Sequence, residues 1–376
     1  MRVAVAMSGG VDSTAAALLM RDGGYDVVGV TMLTSGPRRE DAVRGAARAA
    51  ASLGIEHHVI DLGEVFEHEV VVPFARAYAA GRTPNPCVLC NRAIKFGALL
   101  DAALELGAES MATGHYARLE RGKGYHADRV PEDSPPGGCV AQDRVSGDSG
   151  SEGLEPPRLF ESSDPSRDQT YFIASVGPEA LTRTLFPLGR LTKADVRALL
   201  DASGLTHLHG EETRDICFIP GGDMRTFLAK HAPEALEPGP IEDLSGRTLG
   251  THAGLGLYTV GQRTGLGLAR PRPTYVLAID AARRALTVGD EEELAAVGLE
   301  ANNARWILGE PPTGPRDVSV RIRSASPKVG ARIEIEGTRV VAVFAQPARA
   351  VAPGQAAVFY EGSEVLGSAT ITAALS

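Results

Sequence analysis

An apolar run, Val3-Ala4-Val5-Ala6, leads directly into Met7-Ser8-Gly9-Gly10-Val11-Asp12-Ser13, and a helical pattern follows from Thr14 to Arg21. A strand that turns through two glycines and opens a helix gathers free backbone N–H groups and the positive end of a helix dipole at one point, which makes an anion site. The glycines let the backbone approach a pyrophosphate closely, and the Ser8 and Ser13 hydroxyls add donors. Asp12 puts a carboxylate beside those phosphates, where a magnesium ion would take it as a ligand. No Gly-Lys-Ser/Thr occurs in the segment, so it is not a Walker loop. The alternative is a glycine turn with no ligand, but motif, preceding strand and following helix agree on a phosphate site.

The pattern downstream predicts what surrounds that site. Val27 to Leu33 reads as a buried strand, Glu40 to Leu53 as a helix ended by Gly54, His57 to Leu62 as a third strand, and Glu64 to Ala80 as helical. A loop with two prolines follows at residues 81–86, then a helix from Ala93 to Leu106 and a short strand, Ser110 to Thr113. Repeated βα units predict an α/β fold with a doubly wound, mostly parallel sheet, whose ligands bind at the carboxyl ends of the strands. Ser8 and Gly114 both follow strands and belong on that edge. Residues 120–160, rich in Gly, Pro, Ser and Asp and without periodicity, read as a long mobile loop in which Cys139 is incidental. Asp168 to Val176 and Lys193 to Ser203 look helical. From about residue 240 the texture changes to glycine turns and short strands from Tyr275 to Ile371, which predicts an all-β tail, a barrel or sandwich.

At 376 residues the chain is long enough for two or three domains, and no run of eighteen apolar residues predicts a membrane span. The chain enters a strand at once, so no signal peptide is expected. Four cysteines in so long a chain make no disulfide scaffold and predict a reducing, cytoplasmic setting. The net charge of −9 is unevenly spread. Residues 70–100 and 245–279 hold Arg and Lys without a single acid, and residues 315–350 hold seven bases against three acids. Such stripes are either solvated faces or local contacts for a polyanion.

Two cysteines lie three apart in Asn85-Pro86-Cys87-Val88-Leu89-Cys90, and a third, Cys217, sits among apolar neighbours in Ile216-Cys217-Phe218-Ile219. Cys90 precedes a predicted helix start, where a dipole together with Arg92 and Lys95 would lower a thiol pKa and make a nucleophile. Cys217 by itself reads as a core cysteine.

Together these pieces resemble the tRNA-specific 2-thiouridylases of the PP-loop ATP pyrophosphatase superfamily. The match lies in Ala6 to Ser13, Gly81 to Pro86, Cys90-Asn91, Lys95-Phe96, Ala112 to Ala117, Asp168 to Phe172, Ile216 to Ile219, Tyr258 to Arg263 and Pro353 to Tyr360, in that order. The resemblance implies a PP-loop domain of the adenine nucleotide alpha hydrolase-like type at residues 1–221, a small central tRNA-contacting domain at 222–297 and a C-terminal β-barrel at 298–376. It implies that Ala6, Met7, Ser8, Gly9, Gly10, Val11, Asp12 and Ser13 hold ATP with Mg2+, with Met32 and Gly114 near the adenosine. Asn85, Pro86 and Cys87 would surround the flipped target base. His115, Arg167, Asp168, Gln169, Arg323 and Gln355 would touch tRNA. Cys90 would be the nucleophile and Cys217 the persulfide carrier, charged by a sulfur-donor protein such as a cysteine desulfurase or a persulfide relay. The enzyme is expected to act as a monomer.

One position departs from the family pattern. Many members carry an aspartate three residues before the nucleophilic cysteine, where this chain has Cys87. A thiol there could take over the acid/base role, or Cys87, Cys90 and Cys217 could together hold an iron–sulfur cluster.

Overall fold

The computed structural model describes residues 1–36, 39–121, 156–205, 216–269 and 271–376. Cys139 and most of the predicted loop at 120–160 lie outside the described residues, as does Arg270.

The N-terminal part alternates strands and helices: β1 Arg2–Ala6, α1 Val11–Asp22, β2 Asp26–Leu33, α2 Arg39–Leu53 and β3 Glu56–Asp61. Then come α3 Gly63–Phe66, a π-wound stretch Glu67–Val71, and α4 Val72–Ala79. After the proline loop, α5 Pro86–Cys90 runs into a second π-wound stretch, Asn91–Ala98, and on into α6 Leu99–Glu105. The helix predicted to begin at Ala93 therefore begins at Pro86. Asn85 caps it, its Oδ1 accepting from the Cys87 N–H at 3.0 Å, and Pro86 loses nothing at the first helical position because its missing donor has no helical partner there. The strands β4 Ser110–Thr113, β5 Ala117–Glu120 and β6 Arg158–Glu161 follow, then α7 Thr170–Ile173, α8 Pro178–Thr182, β7 Thr184–Leu185 and α9 Lys193–Ala202.

Five strands make one parallel sheet in the order β3-β2-β1-β4-β7. The order reverses between β1 and β4, so the turns after these two strands lie side by side at the topological switch point. Register confirms it, with Ala6 opposite both Val30 and Thr113. Helices cover both faces. Ala15 to Leu18 and Met20 of α1 pack with Ala46, Ala49, Ala50 and Leu53 of α2 on one side, and Phe66, Phe74, Ile94, Leu99 and Tyr171 fill the other.

After α10 Met224–His231 the chain becomes β-rich. Strands β8 Gly239–Glu242, β9 Thr248–His252, β10 Tyr275–Asp280 and β11 Ala285–Gly289 form a small sheet in the order β10-β11-β8-β9. The last part holds β12 Ala295–Trp306, β13 Arg316–Arg321, β14 Val329–Glu336, β15 Arg339–Arg349, β16 Ala356–Glu361 and β17 Glu364–Leu375. These six run β12-β15-β14-β13-β16-β17, and pairing of β12 with β17 closes them into a barrel. The β5–β6 hairpin adds to the barrel's sheet through Leu159 opposite Val365, so the N-terminal part and the barrel share one sheet edge. Among the described residues, no helix is long and apolar enough to cross a membrane.

Candidate active site

The loop after β1 has the shape its sequence predicts. Gly9 takes φ +74°, and a Cβ there would lie 2.5 Å from the backbone carbon of Gly45 in α2. Gly114, just after β4, is held as tightly: its Cβ would lie 2.7 Å from the carbonyl carbon of Asp12. Glycine at both positions lets the turn after β1 approach α2, and the turn after β4 approach the start of α1, this closely. The Ser13 hydroxyl donates to the Gly10 carbonyl at 3.1 Å and accepts from the Ser8 N–H at 3.2 Å, so the loop keeps its form by its own hydrogen bonds. Met32, the next-to-last residue of β2, lies at the same sheet edge, partly buried against the core.

Asp12 is more engaged than its sequence suggests. Its Oδ1 accepts from the Lys193 ammonium at 2.7 Å and from the Tyr116 hydroxyl at 2.8 Å. Lys193 is the first residue of α9 and only 7% exposed, which a lysine tolerates when a carboxylate compensates it. A divalent cation fits here as a partner for a carboxylate already aligned beside a phosphate-type loop, with Lys193 as its competitor.

His115 and Lys95 link the nucleotide loop to the cysteines. His115 is buried, its Nδ1 2.8 Å from Thr113 Oγ1 and its Nε2 3.4 Å from Lys95 Nζ. Burial, and after it the Lys95 charge, holds the ring well below the usual histidine range, so it is neutral and its Nε2 accepts from Lys95. Lys95 in turn acts electrostatically on both Cys87 and Cys90.

Cys90 corrects one sequence expectation. It ends α5 instead of opening a helix, and burial pushes its thiol up to about 12, with Lys95 opposing and the thiols of Cys217 and Cys87 adding to the rise. Arg92 has no part in the balance. At neutral pH Cys90 is a protonated, sheltered thiol. Burial also pushes the Cys87 thiol up, again against Lys95. Cys217 is exposed, which removes the core-cysteine reading. Its apolar neighbours do the anchoring: the Phe218 ring stands 5.5–5.6 Å from those of Phe66, Phe74 and Phe227, while Ile219 is 2% exposed. Among the described residues, no group of three or more His, Cys, Asp or Glu is arranged to hold a metal ion. Nothing in the arrangement of Cys87, Cys90 and Cys217 therefore shows the iron–sulfur alternative.

Several residues expected to face tRNA also make hydrogen bonds within the fold. The Asp168 carboxylate, 3% exposed, accepts from Thr170 Oγ1 at 2.7 Å and from Arg321 Nη1 at 3.0 Å. Gln169 accepts the Tyr116 N–H at 2.9 Å, and the Arg167 N–H donates to the Asp164 carbonyl at 3.0 Å. Arg323 donates through Nη2 to the Val260 carbonyl at 2.7 Å and the Ala350 carbonyl at 2.8 Å, tying the central sheet to the barrel. The Gln355 amide donates to the Thr83 carbonyl, and the Thr83 N–H donates to the Pro353 carbonyl at 3.0 Å. The loop that carries Asn85, Pro86 and Cys87 is thus docked on the barrel. Gly81 at its other end lies against Ile279 of β10. Sequence reasoning missed Tyr116, Lys193, Arg321 and Gly354 as parts of this arrangement. Their only sequence signal was position inside or beside a motif.

A parallel sheet with a glycine loop at its switch point, linked through Lys95 and the buried His115 to two thiols one helical turn apart, defines an α/β domain of the HUP class. Residues 1–221 match the family described as tRNA methyl transferase HUP domain, residues 225–290 its PRC-barrel domain, and residues 297–371 the aminomethyltransferase beta-barrel domain. The tRNA-specific 2-thiouridylase MnmA of Roseiflexus castenholzii is 44% identical over 98% of this chain and 99% of its own length. That of Magnetococcus marinus is 42% identical over 98% of each chain, and that of Acidothermus cellulolyticus 43% identical over 99% of this chain and 97% of its own. The chain belongs to the tRNA-specific 2-thiouridylase family.

Proposed function

We propose that the protein replaces the C2 oxygen of the wobble uridine of tRNA with sulfur, at the expense of ATP and in the cytoplasm. The observation that carries this reading is the connection from the phosphate loop to the thiols: Gly114 against Asp12, His115 next in sequence, Lys95 at 3.4 Å from it, and Cys90 under the influence of Lys95 and Cys217.

A uracil carbonyl is a poor electrophile. Attack of its oxygen on the α-phosphorus of ATP expels pyrophosphate and leaves an O-adenylated base whose leaving group is AMP. Ala6 to Ser13 would bind the phosphates and Asp12 would hold a magnesium ion, which would supply charge neutralisation. Asn85 and Pro86 border the flipped base, with Cys87, whose raised pKa keeps it a proton donor at neutral pH, in the acid/base position. A donor protein delivers sulfur to the exposed Cys217 as a persulfide. Its terminal sulfur attacks C2 and AMP departs. The Cys90 thiolate then attacks the Cys217 sulfur, the S–S bond breaks toward the base, and 2-thiouridine leaves behind a Cys90–Cys217 disulfide. An external dithiol reopens it.

The test is a thiolation assay on unmodified total tRNA with ATP and a persulfide donor, read by mass spectrometry of nucleosides together with AMP release. Thiolated uridine and tRNA-dependent AMP formation are expected. AMP release that is indifferent to tRNA would point to a synthetase acting on a small metabolite and overturn the reading.

A further inference from the structure

Cys87 and Cys90 bracket the first turn of α5. The turn is regular: the Asn91 N–H donates to the Cys87 carbonyl, and Cys90 has helical φ −61° and ψ −45°. Two residues three apart on such a turn have Cα atoms about 5 Å from each other, by the rise and radius of a helix. A disulfide spans Cα atoms about 4.4–6.8 Å apart. The Cβ atoms of the pair stand about 5–6 Å apart, wider than in a relaxed bridge, so closure draws the turn in. The start of α5 can yield, because the Cys87 N–H is held by a side chain, Asn85 Oδ1 at 3.0 Å, and by no carbonyl of a preceding turn. A bridge closed against that resistance is readily reopened, which suits a bond made and broken in every cycle.

Exposure differs along the turn. Cys87 is exposed, whereas Cys90 is 8% exposed and packs in the core with Ile94 and Phe218. A thiol in solution can reach the first sulfur and not the second. The loop before the turn is anchored, with the Thr83 N–H on the Pro353 carbonyl at 3.0 Å, so the pair sits on a fixed base.

We propose that Cys87 and Cys90 form a two-electron dithiol–disulfide couple, with Cys87 as the resolving thiol of sulfur transfer. The proposal rests on the thiolation reading above and inserts one exchange before the external dithiol acts. Cys87 has given its proton to the departing AMP and is a thiolate when the Cys90–Cys217 disulfide forms. Its sulfur attacks Cys90 Sγ, the Cys90–Cys217 bond breaks, and the electron pair leaves on Cys217 as a thiolate. No electrons are gained or lost, since the Cys87–Cys90 disulfide replaces the Cys90–Cys217 one. Cys217 is then ready for the next sulfur. A dithiol reductant attacks the exposed Cys87 sulfur and supplies two electrons, and Cys90 takes up a proton and returns to a sheltered thiol.

The test uses the full chain. Trypsin releases residues 83–92 as one peptide, which holds Cys87 and Cys90 and no other cysteine, and residues 215–225 as another, which holds Cys217. In the first arm, Cys217→Ser is equilibrated without oxygen in glutathione buffers of graded ratio, then quenched in acid, alkylated in denaturant and digested. Peptide 83–92 is expected to pass from doubly alkylated to a form two hydrogens lighter than the dithiol, with no singly alkylated form between them. Glutathione on Cys87 with Cys90 alkylated would overturn the couple. Iron in protein purified without oxygen, lost in Cys87→Ser, would make the thiols metal ligands and also overturn it. In the second arm, persulfide-charged chains receive ATP and unmodified tRNA without reductant and are sampled once 2-thiouridine has formed. The wild type is expected to hold its disulfide inside peptide 83–92, and Cys87→Ser to join peptides 83–92 and 215–225. Joined peptides in the wild type would overturn the resolving step while leaving the thiolation reading intact. A wild type that forms no 2-thiouridine would overturn that reading and the resolving step with it, whereas the glutathione arm decides the couple by itself.

Discussion

The chemistry of Cys90 follows from its place in the fold. Buried at the end of α5 with a thiol pKa pushed up to about 12, it is protected at rest and must lose its proton when the substrate arrives. Alkylation of Cys90 in the free protein should therefore rise about tenfold per pH unit from pH 7 to 9 with no plateau, because only the thiolate reacts. A plateau near pH 7 would mean a thiolate already formed. Lys95 lowers that pKa, so Lys95→Met should slow the same alkylation further. In the thiolation assay, Cys90→Ser and Cys217→Ser should each stop product formation. Cys87→Ala should slow it by roughly 10²–10⁴, the range of a lost general acid or base. Wild-type rates in Cys87→Ala would remove that residue from the chemistry. The assignment of Cys90 and Cys217 as a pair was legible in the sequence only as what the family resemblance implies. The direction of the Cys90 pKa was not, because burial raises it, and that burial comes from packing against segments distant in the chain.

At the scale of elements, the nucleotide loop exists because two strand ends meet. Gly114→Ala would put a Cβ 2.7 Å from the backbone of Asp12, where no flexible side chain can yield. Such overpacking typically costs about 1–3 kcal/mol. The expected outcome is a folded protein with a lowered melting temperature and tRNA-dependent AMP release reduced at least tenfold by displacement of the α1 start. Unchanged AMP release would show that the loop tolerates the shift. The π-wound stretches Glu67–Val71 and Asn91–Ala98 were read from sequence as plain helix, since apolar periodicity over so few residues does not distinguish the two windings.

At the scale of the molecule, the barrel braces the loop that carries Cys87 and Cys90. Arg321 bridges Asp168 at 3.0 Å and Glu161 at 3.1 Å, and Lys328 reaches Glu161 at 2.8 Å, all over the Tyr360 ring. Removing one partner of such a sheltered network leaves charges uncompensated, which costs about 3–5 kcal/mol. Arg321→Met should lower stability by that amount in urea unfolding and separate the barrel's transition from that of the PP-loop part, whereas a single unshifted transition would show the network to be dispensable. Gly354, at φ +95°, lies where a Cβ would be 2.8 Å from Thr83 N. Gly354→Val should therefore depress thiolation while leaving ATP binding intact, a split that a general loss of fold would not produce.

The sequence alone determined the parallel sheet, the glycine loop at its edge and the β-rich tail. Each of these depends on local pattern: strand and helix periods, glycine where backbones cross, and motif spacing. Only the tertiary structure decided what the polar residues outside the loop do. Asp168, Gln169, Arg323 and Gln355 carry the same side chains whether they face RNA or another strand, and their partners, at Arg321, Tyr116, Val260 and Thr83, lie 53 to 272 residues away in the chain. The closure of six strands into a barrel, and its docking on the cysteine loop, likewise rest on contacts between distant residues, which no local pattern encodes.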